Sequence, residues 1–260
     1  MLQSVRELER YSIQATDGKI GHIEELFFED DTWIVRYLVV DVGNWLSNQR
    51  VLLIPSVVEN VDAEARTVSV SLTKDQVENS PDVDTVQPIS REKELKLHKY
   101  YDWEPYWTMP YPAALGTYPA RPAAVGSVLP IERNETLESE PEPVAMVEES
   151  DVNSDLRSTD EVIDYAIQAT DDHIGHVEDF IVDTQHWIIR YMVIDTRNWL
   201  PGKKVLVSPA WVSSIRWEDS EVHVELTRKQ VKNSPEYDRE TLDRDYETRL
   251  YEHYDKSVYW

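Results

Sequence analysis

The chain has 260 residues, a formal charge of −24 and no cysteine. That charge opposes phosphate backbones and acidic membrane surfaces, both of which draw on Lys and Arg for affinity. Disulfides, thiolate nucleophiles and cysteine metal sites are excluded outright.

Met1–Arg10 is charged at Arg6, Glu7, Glu9 and Arg10 and lacks an apolar run, so no signal peptide is read there. No window approaches the roughly 18 apolar residues of a membrane span. The expectation is a cytoplasmic protein that neither inserts into a membrane nor binds nucleic acid.

Short β-favouring runs follow, separated by turn signals. Tyr11–Ala15 leads into Thr16-Asp17-Gly18-Lys19, a tight hairpin in which Gly18 is free to take a positive φ. Ile20–Phe28 is the next strand. Trp33–Asp41 runs almost without polar interruption, as a strand covered on both faces does. Val51–Ile54 and Val57–Val61 come next, with Pro55 breaking the ladder between them. Val68, Val70 and Leu72 then alternate with serines. Thr73 and Gln76 have capping-box spacing for a short helix that Ser80-Pro81 stops.

The whole pattern recurs. Tyr11–Asp84 and Tyr165–Asp238 align without a gap at an offset of 154, with about 34 of 74 positions identical. Each copy carries a tail ending in the same motif, Tyr101-Asp102 with Tyr106-Trp107 and Tyr254-Asp255 with Tyr259-Trp260. Glu240–Tyr254 reads as a short solvated helix of alternating charge. Between the copies, Pro105–Pro143 holds eight of fourteen prolines, and Glu132–Glu161 has eleven acidic and two basic residues. Such composition favours an extended tether. The expected organisation is repeat one over 1–107, a flexible linker over 108–160 and repeat two over 161–260.

Three runs shared by the copies carry a family resemblance: Ala-Thr-Asp-x-x-Ile-Gly-His-[Ile/Val]-Glu, Trp-Ile-[Val/Ile]-Arg-Tyr-[Leu/Met]-Val-[Val/Ile]-Asp, and Asn-Trp-Leu before Val-Leu and a proline. They resemble the PRC-barrel family, which includes the cytoplasmic domain of the photosynthetic reaction-centre H subunit and the C-terminal domain of the ribosome maturation factor RimM. The likeness extends to Leu200–Leu206 and to the Leu-Thr-Arg run at Leu226. It implies a mainly β protein: two small six-stranded barrels, each followed by a short helix. It also implies a role in assembly or protein binding, and it transfers no catalytic residue. Two departures stand out. The Asp17-Gly18 turn becomes Asp171-Asp172 in repeat two, and no membrane helix precedes either barrel, which argues against the anchoring of the reaction-centre subunit.

Several residues invite a functional reading. His22 and His176 each stand two residues before an acid, Glu24 and Glu178, and so share a strand face with it. Two ligands per copy are short of a metal site, so a structural reading is preferred over a metal or small-ligand sensor built where the two pairs meet. Arg36 and Arg190 lie mid-strand and need a partner if buried; anion binding is the other reading. Trp45 and Leu46, with Trp199 and Leu200, fall in a loop, where they either cap their own barrel or contact a protein. Tyr106, Trp107, Tyr259 and Trp260 divide between barrel clasp and partner anchor. No phosphate loop, nucleophile elbow or His-Glu-x-x-His helix is present. The expectation is a non-enzymatic scaffold without cofactor, whose two barrels dock on each other and present a joint surface to a protein partner.

Overall fold

The structure is a computed structural model that describes residues 1–43, 49–81, 89–108, 156–196 and 203–260. Unit one contains β1 (Leu2–Ser4), α1 (Val5–Leu8), β2 (Ser12–Ala15), β3 (Gly18–Glu29), β4 (Val35–Asp41), β5 (Arg50–Leu53), β6 (Val58–Asp62), β7 (Thr67–Val70), α2 (Lys74–Glu78) and α3 (Arg91–Tyr101). Unit two repeats the order with β8 (Leu156–Ser158), α4 (Thr159–Val162), β9 (Ala166–Gln168), β10 (His173–Asp183), β11 (Ile188–Asp195), β12 (Lys204–Val207), β13 (Val212–Arg216), β14 (Glu221–Val224), α5 (Arg228–Asn233) and α6 (Arg244–Tyr254). The protein is mainly β, and the described residues form two mixed seven-stranded sheets.

Six strands of each sheet belong to its own unit, in the order β5-β4-β3-β2-β7-β6 and β12-β11-β10-β9-β14-β13. The ladder among the described strands is an open path, where six-stranded barrels were expected. Pro55 and Pro209 sit in the 3-10 turns before the end strands β6 and β13, and a proline has no N–H for a ladder.

The seventh strand of each sheet comes from the other unit. β1 pairs antiparallel with β10, and β8 pairs antiparallel with β3. The registers are equivalent: Leu2 lies opposite Asp183, and Leu156 opposite Glu29. Unit two therefore already includes Leu156–Ser158, inside the segment read from composition as linker. Its net acidity concealed a strand of three residues.

A pseudo-twofold passes through a single antiparallel bridge between the equivalent residues Ile34 and Ile188. Val35 N–H donates to Trp187 O at 2.7 Å, and Ile189 N–H donates to Trp33 O at 2.9 Å. Trp33 and Trp187 hold the left-handed conformation, with φ of 59° and 53°. That is a genuine outlier for a bulky residue, and both copies keep it at the place where the units meet.

One apolar cluster runs through both units, from Ile13, Leu26, Phe28 and Leu38 to Phe180, Met192 and Leu206. Phe180 lies against Phe28 and Trp33, with ring centroids 6.1 and 6.4 Å away. The opposite face of β3 and β4 is also dry. Phe27, Tyr37, Val39 and Leu52 form a second cluster with Ile89 and Leu97, and Leu156 of the exchanged strand joins them. That explains the nearly uninterrupted apolar run over Trp33–Asp41.

Gly21 and Gly175 lie where a side chain has no room: a Cβ would stand 1.9 Å from Asp41 O and 2.1 Å from Asp195 O. Both capping boxes form. Asp17 and Asp171 accept from the first amides of the following helices, Lys74 N–H at 2.8 Å and Arg228 N–H at 2.7 Å. The expected turn difference is present as well. Gly18 has φ 144°, whereas in repeat two the strand starts only at His173.

Candidate functional site

Two features concentrate buried polar chemistry, and both occur twice. The first is the seam of the exchanged strands. Ser4 Oγ donates to Asp179 Oδ2 at 2.5 Å, while Arg6 N–H reaches Asp179 Oδ1 at 3.2 Å. In the other copy, Ser158 Oγ donates to Glu25, and Leu26 N–H donates to Thr159 Oγ1 at 3.1 Å. Each incoming strand thus delivers a hydroxyl to a carboxyl that the receiving strand has buried.

Burial pushes Glu25 up to about 7, Asp160 and Glu24 add repulsion, and the Ser158 bond and Arg50 oppose it. Desolvation likewise raises Asp179, against the bonds from Ser4 and the backbone N–H of Arg6. Glu9 is raised to about 7 by burial together with the nearby Asp160 and Asp179. Arg6 bridges the units to Glu178 at 3.5 Å, and Arg239 pairs with Glu7.

The second feature is an aromatic clasp on each barrel. Glu94 of α3 is fully buried and accepts from Tyr37 Oη at 3.0 Å and Tyr106 Oη at 2.9 Å. Glu247 of α6 accepts from Tyr191 Oη at 2.7 Å and Tyr259 Oη at 2.8 Å. A buried carboxylate stays tolerable only with such donors. The strand arginines complete the arrangement. Arg36 binds Glu29 Oε2 at 2.7 Å and stands 4.3 Å over the Tyr106 ring, and Arg190 binds Asp183 Oδ2 at 3.4 Å and stands 4.1 Å over Tyr259. Arg91 and Arg244 cover Trp107 and Trp260 at 4.2 and 4.1 Å. Guanidinium over an aromatic face is attractive.

These contacts place the sequence candidates. Tyr106, Trp107, Tyr259 and Trp260 form the clasps, with Trp260 still 47% exposed. Arg36 and Arg190 find partners on the neighbouring strand, as a buried charge must. Glu24 accepts from Arg50 Nε at 2.6 Å, and Glu178 pairs with Lys204 at 2.7 Å. His176 Nε2 lies 3.9 Å from Asp195, and His22 is exposed. The contacts that join the units run through serines, buried acids and Arg6 rather than through the two histidines. Among the described residues no His/Cys/Asp/Glu group is arranged to hold a metal. Trp45, Leu46, Trp199 and Leu200 lie outside the described residues.

Three things were missed from sequence. Glu25 and Asp179 look like ordinary surface acids. The hydroxyls that meet them, Ser4 and Ser158, belong to the same 154-residue offset, which extends upstream of Tyr11 through Leu2/Leu156 and Glu7/Glu161. α6 is not a solvated helix, since Tyr246, Leu250, Tyr251 and Tyr254 are buried at helical spacing. No described helix is long and apolar enough to cross a membrane.

A match to a protein-family model agrees with this architecture. The PRC-barrel domain matches residues 3–77 and 155–231, more than half of the chain. A 74-residue stretch is 38% identical to an uncharacterised protein of Deinococcus radiodurans, covering 28% of this chain and 26% of that protein. The chain belongs to the PRC-barrel domain family, as a tandem of two such domains.

Proposed function

We propose that the protein is a non-enzymatic scaffold, in which two PRC-barrel units are fixed relative to each other so that they present a composite surface to a protein partner. The observation that carries this is the reciprocal strand exchange. It commits the first strand of each unit to the other and gives the pair one continuous core. A rigid pair of modules loses little freedom on binding. The buried ionisable groups support the same reading, because Glu94 and Glu247 are consumed by phenol donors inside the clasps. We place this scaffold in the cytoplasm, without cofactor.

The stacked Trp107 and Trp260 are the described aromatics best placed for a partner, since Trp is enriched where binding energy concentrates. Affinity capture with the full chain, followed by reconstitution with the purified partner, tests the reading. A saturable complex weakened at least tenfold by Trp107→Ala with Trp260→Ala is expected. Stoichiometric bound metal in the purified protein with no protein partner would overturn it.

A further inference from the structure

The sheet of unit one ends on β6, whose second edge has no strand neighbour among the described residues. That strand lines a cavity of ≈730 Å³, shared with Ile34–Arg36 at the start of β4 and with the unit-two turn Thr184–Trp187. The volume lies within the range of about 300–1,000 Å³ typical of binding sites. An edge strand offers unpaired N–H and C=O groups to any incoming strand, and proteins guard such edges with Pro, charged side chains or bulges. Val58–Asp62 has no Pro or Lys; its guards are a bulge between Val58 and Asn60 and the acids Glu59 and Asp62, which repel an acidic strand and attract a basic one.

Among the described residues, the cavity's charges outside an ion pair are acidic. Glu59 and Glu104 both line it and are exposed. The basic groups beside them are engaged: Arg36 binds Glu29 and stacks on Tyr106, His98 Nε2 lies 2.8 Å from Tyr37 Oη, His186 binds Asp183 at 2.7 Å, and the Met1 amine binds Asp183 at 3.3 Å. The chain's own segment 109–155 is a poor complement, with nine acidic residues, two basic ones and seven prolines that donate no backbone hydrogen bond.

We propose that this groove takes an extended, basic segment of a partner protein as an added strand on β6. Main-chain hydrogen bonds supply the affinity, as in strand-addition recognition. Apolar side chains meet the valines of β6, and Lys or Arg reach Glu59 and Glu104. β6 spans roughly 17 Å at about 3.3 Å per residue, which matches a peptide of about five residues. The proposal rests on the protein-binding reading above and names the surface and chemistry of the contact.

A labelled, end-blocked Lys-Val-Lys-Val-Lys-Val peptide titrated into the full chain at low salt, read by fluorescence anisotropy, tests it. Saturable binding is expected, weakened at least tenfold by Glu59→Lys with Glu104→Lys, and lost when alternate peptide nitrogens are methylated. Equal affinity for that variant or for the methylated peptide, or no saturable binding to the native chain, overturns it. Binding that emerges only after excision of 117–149 also overturns it, because the groove would then belong to the chain's own segment. A reconstituted partner that still binds the Glu59→Lys, Glu104→Lys variant leaves the scaffold reading intact and removes only this surface.

Discussion

Glu25 and Asp179 lie at the joint between the units. Each is buried beneath a strand supplied by the other unit and holds that strand by a serine hydroxyl. Because Glu25 titrates near 7 in the folded protein, above the ordinary carboxylate value of 4.5, the folded state binds its proton more tightly than the unfolded state does. Its contribution is present below about pH 4.5 and is lost as pH rises through about 7. Denaturant unfolding is expected to show stability falling between about pH 4.5 and about 7, and Glu25→Gln should flatten that slope while keeping an acceptor for Ser158. An unchanged slope in the variant would show that Glu25 does not drive it. A different cause acts at Gly21, where any Cβ collides with the Asp41 carbonyl. Gly21→Ala is expected to cost about 3 kcal/mol, the upper end of overpacking penalties. A melting temperature within two degrees of the parent would contradict the close approach.

Among the elements, strands β2 to β7 were legible because period-two alternation, a hairpin turn and Pro55 mark them. Their copies in repeat two read the same way. β1 and β8 were not, since three residues are too few to show periodicity and their partners lie more than 120 positions away. α6 hid its aromatic stripe among charges, and α3 buries a glutamate, a residue type that sequence patterns assign to the surface. The clasp could be anticipated only as a repeated Tyr-Trp ending. Its energetic role follows from the geometry. Removing Tyr259 and Trp260 strips Glu247 of one donor and uncovers Arg190, at an expected cost of about 1–3 kcal/mol for the under-satisfied buried carboxylate. Chemical denaturation of the chain ending at Val258 checks this. No loss would mean that the tail only rests on the barrel.

At the scale of the molecule, the duplication was plain in the sequence while the exchange that uses it was not. A 154-residue offset reveals two copies and says nothing about which strand completes which sheet. Because the exchanged strands and the core between the units lie outside 117–149, deleting that segment should leave the β signal and the melting temperature nearly unchanged. Circular dichroism measures both, and a loss of β signal would show that the segment is structural. The central claim is that the first strand of each unit is a working strand of the other. Native-state hydrogen exchange on peptides covering Leu2–Leu8 and Leu156–Val162 tests it most directly. The account predicts that both resist exchange to the same degree as β3 and β10 and open with them. Exchange at the rate of a free terminus, with β3 and β10 still protected, would contradict it.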